Sequence, residues 1–129
     1  MPEIHDFKDI EIWNISKKLS VKIYKICLSG RLNRDFGLKD QICRSSVSIP
    51  SNIAEGFGRG NNKEFIYFLR IAQGSCLEII TQIIIAFEVN YLSQNQKEEL
   101  IIEYEKLSLS MAKFISYLRK NNKLKINKQ

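Results

Sequence analysis

Apolar residues recur at steps of three and four along most of the chain, the spacing that places side chains on one face of a helix. The first such stripe comprises Ile12, Ile15, Leu19, Ile23 and Ile26. The pattern predicts four helices, at about residues 7–28, 35–57, 63–90 and 94–120. Because the connections are short, neighbouring helices are expected to be antiparallel. We therefore expect an all-α fold, a single domain over residues 1–129 built as an antiparallel up-and-down four-helix bundle, with a basic tail at 121–129.

Polar residues at helix starts support these boundaries. Asp6 stands where its carboxylate can cap the first helix. Asn61 with Glu64 is a variant of the capping box before the third helix, and Ser93 with Gln96 has the same spacing before the fourth. The chain therefore carries a local start signal for three of its four predicted helices.

A proline interrupts the second predicted helix. Pro50 has no amide hydrogen for the carbonyl of Ser46, and its ring crowds the preceding turn. The alternatives are a kinked helix and two shorter helices. We expect a proline kink, because residues 52–55 resume the helical pattern.

The third predicted helix is apolar over most of its circumference. One stripe is formed by Phe65, Leu69, Ala72, Cys76, Ile79, Ile83 and Ala86. Further apolar positions lie outside that stripe, at Ile66, Ile80, Ile84, Phe87 and Tyr91. A helix of an isolated bundle keeps a polar outer face, so this excess predicts another partner. Self-association is the simplest explanation.

Composition fits a soluble globular protein, with 44% hydrophobic and 26% charged residues in 129. The N-terminus lacks the pattern of a secretory signal, so we expect a cytoplasmic protein. The apolar run at residues 71–90 contains Glu78 and Glu88, which predicts a buried helix and no membrane span. Three separated cysteines, Cys27, Cys43 and Cys76, fit neither a disulfide framework nor a metal site, and we expect them to be buried.

Positive charge is unevenly distributed. The net charge is +6, and residues 12–34 contain no acidic residue but six basic ones: Lys17, Lys18, Lys22, Lys25, Arg31 and Arg34. Residues 119–129 form a second basic stretch. Two such stretches predict a polyanionic partner, RNA or DNA, bound at these six side chains. The alternative is a solvated helix face with a tail that serves solubility.

Residues 36–59 carry a long motif, FGLKDQICRSSVSIPSNIAEGFGR. With Phe7 and Trp13, and with Gly74, Ser75 and Glu78, it resembles the four-helix-bundle proteins encoded in intervening sequences of bacterial 23S rRNA genes. A related group comprises the accessory proteins of diversity-generating retroelements, which assemble as pentameric barrels and bind nucleic acid and reverse transcriptase. The resemblance implies a ring-like oligomer, a homopentamer. Arg31 and Arg34 stand where that pattern leads us to expect a proline and a glutamate.

No set of residues suits catalysis, so we expect neither an enzyme nor a cofactor or metal. The single histidine, His5, has no evident nucleophile or metal partner in the sequence. Glu55 and Glu78 have no Glu-x-x-His pair around them of the kind that metal-binding bundles use. We expect both to form buried or interfacial ion pairs with one or another arginine of the central helices: Arg44, Arg59 or Arg70.

Two functions remain. The first is nucleic-acid binding through phosphates without base readout. The second is a scaffold for a protein partner, such as a reverse transcriptase, in which the charge serves solubility.

Overall fold

The computed structural model describes residues 4–121, and over this range the chain is helical. Its main elements are α1 (Glu11–Cys27), α2 (Phe36–Gly58), α3 (Asn62–Glu88) and α4 (Gln94–Lys120). α1 packs against α2 and α4, and α3 packs against the same two helices. The predicted all-α fold with four helices is confirmed. Apart from Asn121, the predicted basic tail lies outside the described residues.

The first helix begins later than the sequence predicts. Asp6 caps a short 3-10 turn at Phe7–Asp9, and its own backbone amide donates a hydrogen bond to the Asp9 carboxylate. Ile10 is extended, so α1 begins only at Glu11, and no side chain caps it. The expectation that Asp6 caps this helix was wrong because the reciprocal Asp6–Asp9 bonds close a separate turn first. The Ser93–Gln96 capping box of α4 is confirmed.

α2 runs without interruption through Pro50, which rules out two separate helices; a kink there stays a prediction. Pro50 has no amide hydrogen to donate to the carbonyl of Ser46. This carbonyl instead accepts a hydrogen bond of 2.8 Å from the hydroxyl of Ser20 in α1. Ser20 and Ser46 are both buried. A side chain of α1 therefore supplies the hydrogen bond that the backbone of α2 lacks at the proline.

α2 and α3 approach closely at Gly56. A Cβ atom at this position would lie 2.7 Å from Cβ of Phe68 and 3.0 Å from Cδ1 of Phe65. Nearer the middle of the helices, the hydroxyls of Ser48 and Ser75 share a hydrogen bond of 2.9 Å. Small residues of the central motif thus set the distance between these two helices.

Large apolar side chains remain exposed on the outside of the bundle. Among residues 4–121, thirteen large apolar side chains are exposed. Five of them belong to α3, and a sixth, Val89, directly follows its last residue: Tyr67, Ile71, Leu77, Ile84, Ile85 and Val89. The prediction that this helix is apolar over most of its circumference is confirmed. By length and composition α3 could also cross a membrane, a weak sign that the core helix of a soluble protein gives as well. Its opposite face builds the core through Phe65, Leu69 and Ile79.

Candidate nucleic-acid interface

Five of the six predicted nucleic-acid-binding side chains are exposed and have no ion-pair partner among residues 4–121. Lys17, Lys18 and Lys25 lie on the surface of α1. Arg31 and Arg34 lie in the connection to α2, where Arg34 ends a 3-10 turn at Leu32–Arg34. Since successive turns of a helix align residues seven apart, Lys18 and Lys25 share one face of α1. Along the chain these five side chains extend from the middle of α1 to the start of α2, and we call them the band of cations.

Lys22 does not belong to this band, which corrects the sequence-based expectation. Its ammonium group contacts the carboxylate of Glu99 and donates a hydrogen bond of 2.8 Å to Oε1 of Glu103, both in α4. These bonds raise the pKa of Lys22 above its usual value, and the bond to Glu103 contributes more than the bond to Glu99. Two carboxylates outweigh one ammonium, so this site offers no net attraction to a phosphate. Lys22 instead joins α1 to α4.

One basic residue of the same region escaped the sequence analysis. Lys39 stands in the second turn of α2 and donates hydrogen bonds of 3.1 Å to the carbonyl and side-chain oxygens of Asn33. Its ammonium also lies 5.0 Å from the ring centroid of Phe36. Lys39 therefore extends the band beyond Arg34. The sequence signal, a lysine shortly after the acid-free stretch, was present but separated from it by Asp35.

The predicted ion pairs of the central helices are present only in part. Arg59 binds Glu55 at 2.7 Å, one turn away, so this pairing is confirmed. The pair is about half exposed, so it is not buried within the chain, and an interfacial position stays a prediction. Arg44 instead binds Asp40 at 2.7 Å on the exposed side of α2.

The other two residues of that set, Arg70 and Glu78, lie exposed on α3. Among the described residues neither forms a salt bridge with any other. Eight positions separate them, which is too far for the contact between successive turns that joins Arg59 to Glu55. A buried ion pair within one chain is therefore corrected for both, and an interfacial pair stays a prediction.

The cysteines are only partly as expected. Cys27 and Cys76 are buried, whereas Cys43 is half-buried and lines a surface cavity of 650 Å³ together with Cys27 and Phe36. Burial raises the pKa of the Cys27 and Cys76 thiols to about 12, so both are poor nucleophiles at neutral pH. Within residues 4–121, no three His, Cys, Asp or Glu side chains come together as metal ligands.

A groove of 530 Å³ runs between α1 and α2 on the outside of the bundle. We call it the α1–α2 groove; its apolar lining consists of Trp13, Val21, Tyr24, Leu28, Val47, Pro50 and Ala54. Two serines, Ser20 and Ser51, and two lysines, Lys17 and Lys25, complete the lining. The ammonium of Lys17 lies 5.6 Å from the ring centroid of Trp13. The groove is therefore apolar with basic side chains beside it.

Comparison with known proteins places this geometry in a family. A crystal structure of a protein of unknown function from the S23 ribosomal protein family of Bacteroides thetaiotaomicron matches with a TM-score of 0.73. Sequence identity is 23%, and the match covers 81% of this chain and 97% of the other, which shows a shared fold. No curated protein matches the chain. The sequence model described as 23S rRNA-intervening sequence protein matches residues 8–113. The chain therefore belongs to the 23S rRNA-intervening sequence protein family.

Proposed function

We propose that this protein is a non-catalytic, cytoplasmic homo-oligomer, a homopentameric ring, that binds RNA or DNA through phosphates without reading bases. The observation that carries the proposal is the band of unpaired cations. Residues 12–34 contain no acid, and five of their six basic side chains are exposed without an ion-pair partner among the described residues. Such side chains can neutralise phosphates and release counterions, the main source of affinity in binding without base readout.

Oligomerisation would multiply a moderate charge. Five copies of a chain with net charge +6 carry a formal +30, which favours binding to a polyanion at low ionic strength. The thirteen exposed large apolar residues within 4–121 support self-association, because they leave more apolar surface than one bundle covers.

Titration of RNA binding with salt tests the proposal. The variant Lys18→Glu/Arg34→Glu should weaken binding at low salt and reduce the slope of log K against log salt by about 2. The matched control is Lys106→Glu/Lys113→Glu, which makes the same charge change at exposed positions of α4. Equal loss of affinity in both variants would show that only net charge matters and would contradict a defined band.

A scaffold for a protein partner, such as a reverse transcriptase, is the alternative function, and the apolar α1–α2 groove is the observation that favours it. The same titration separates the two. If the wild-type protein binds neither RNA nor DNA at low salt, nucleic-acid binding is overturned and the scaffold function is favoured.

A further inference from the structure

We propose that copies of this chain associate head to tail, with the outer face of α3 from one copy seated in the α1–α2 groove of the next. This inference rests on the oligomeric part of the proposed function and identifies its interface. The two surfaces are different parts of the same chain, so each copy would offer one of each. A heterologous contact of this kind generates a ring when its rotation closes.

The outer face of α3 carries a second helical repeat, separate from the one that builds the core. Its positions follow alternating steps of four and three, and we call them the α3 outer stripe: Tyr67, Ile71, Gly74, Glu78, Thr81 and Ile85. All six are exposed. Alternating steps of this kind keep one seam facing a partner along the whole length of a helix. The α3 outer stripe therefore has the pattern of a surface that packs against helices.

Gly74 lies in the middle of this stripe and has no role within the single chain. A Cβ atom there would meet nothing within 4 Å. Glycine in a helix interior is less stable than alanine, so the position weakens α3 without relieving any contact in the described bundle. A neighbouring molecule that approaches the helix closely would give this glycine a function.

The charges of the two surfaces are complementary. Glu78 is the only charged residue of the α3 outer stripe, and no salt bridge forms to it among the described residues. The α1–α2 groove has Lys17 and Lys25 in its lining and no acidic residue. A carboxylate in an apolar stripe needs a cation when it is covered, and these lysines would supply it. This complementarity identifies the occupant of the groove as a second copy of the chain.

The positions of these residues along the bundle also agree. The hydrogen bonds Ser20–Ser46 and Ser48–Ser75 place the middles of α1, α2 and α3 side by side. Neighbouring helices are antiparallel and each rises about 1.5 Å per residue, so Ser48 and Ser75 lie level with Lys18. Three residues further along α3 and α1, Glu78 lies level with Val21. That level falls between Lys17 and Lys25. Copies in a closed ring are related by rotation alone and are not shifted along the ring axis. If the ring axis runs parallel to the helices, residues at the same level therefore meet across the interface.

The same count matches the shapes of the two surfaces. Gly74 lies level with Lys17, whose ammonium stacks on the ring of Trp13 and makes a bulky group beside the groove. The gap above the glycine can accept that group. Ile85 lies level with Leu28, whose side chain is 67% exposed. An apolar contact, a bulky group facing a gap and an ion pair would thus form in one register.

With this interface, some cations of the band would contact a neighbouring copy and the others would bind phosphates. Lys17 and Lys25 would hold neighbouring copies together, whereas Lys18, Arg31 and Arg34 would remain available for phosphates. Charge reversal at the first pair should therefore change oligomer size first, and reversal at the other three should change nucleic-acid binding without dissociating the ring.

Native mass spectrometry of charge-swapped variants tests the interface. Glu78→Lys alone and Lys17→Glu/Lys25→Glu alone should each raise the concentration at which the oligomer dissociates by at least about tenfold. The triple variant, which restores opposite charges across the interface, should recover assembly. Glu105→Lys, the same change at an exposed position of α4, is the control and should assemble like wild type.

Each result has a distinct meaning. A wild-type monomer would overturn the oligomeric part of the proposed function and the interface with it. A wild-type oligomer whose size is unchanged in both charge variants would overturn this interface alone. Gly74→Ala covers the case in which a charge variant fails to fold. This substitution should raise the melting temperature of the dissociated chain and weaken assembly, and improved assembly would contradict the close approach.

Discussion

The hydroxyl of Tyr104 is buried in the core and has no hydrogen-bond partner among the described residues. Burial raises the pKa of this phenol well above its usual value, since a charge there would lose its solvation. Tyr91 contrasts with it, because its hydroxyl donates a hydrogen bond of 3.0 Å to Oδ2 of Asp35, the residue that caps α2. At the scale of the residue, two tyrosine hydroxyls are thus expected to act on stability in opposite directions.

Replacing each tyrosine by phenylalanine tests this contrast. Tyr104→Phe removes an unsatisfied polar group and should increase the free energy of unfolding by about 1 kcal/mol. Tyr91→Phe is the matched control and should decrease it, because the hydrogen bond to Asp35 is lost. Urea denaturation measures both. A destabilised Tyr104→Phe protein would mean that the buried hydroxyl has a partner in solution.

At the scale of the element, the hydrogen bond from Ser20 compensates for the proline within α2. Pro50 provides packing beside the α1–α2 groove but leaves the carbonyl of Ser46 without its helical donor. The Ser20 hydroxyl is the group that reaches this carbonyl from α1. The proline and the serine therefore depend on each other although they lie in different helices.

A double-mutant cycle measures this dependence. Ser20→Ala should cost about 1–2 kcal/mol, because it leaves a buried carbonyl unsatisfied. In a Pro50→Ala background the restored amide can bond that carbonyl, so the cost of Ser20→Ala should fall by about 1 kcal/mol. Ser16→Ala is the control, since the Ser16 hydroxyl donates to the carbonyl of Trp13 and should cost the same in both backgrounds. A Ser20→Ala cost equal in both backgrounds would contradict the compensation.

At the scale of the whole molecule, stability is expected to depend on protein concentration. Association stabilises only the folded chain, so a hundredfold increase in concentration should add on the order of 2 kcal/mol per chain and raise the melting temperature by several degrees. Calorimetry at both concentrations measures the shift. The Glu78→Lys variant should show a smaller shift, and a wild-type melting temperature independent of concentration would argue against self-association.

The helices could be predicted from the sequence because their signals are local. The bounds of α4 agree with the prediction at both ends, since a capping box starts this helix within four residues. Long-range pairing could not be predicted. In the sequence, Lys22 is indistinguishable from the five other cations of its stretch. The acids that neutralise it, Glu99 and Glu103, lie 77 and 81 residues away.

The sequence by itself determined the four helices, the excess of apolar surface on the third and the acid-free basic stretch, because each follows from residue types at short spacing. Only the tertiary structure decided which cations remain unpaired, which group bonds the carbonyl of Ser46, and which residues of α1 and α3 lie level along the bundle. The physical reason is that hydrogen bonds and ion pairs depend on distances of a few ångströms, and packing between helices sets those distances.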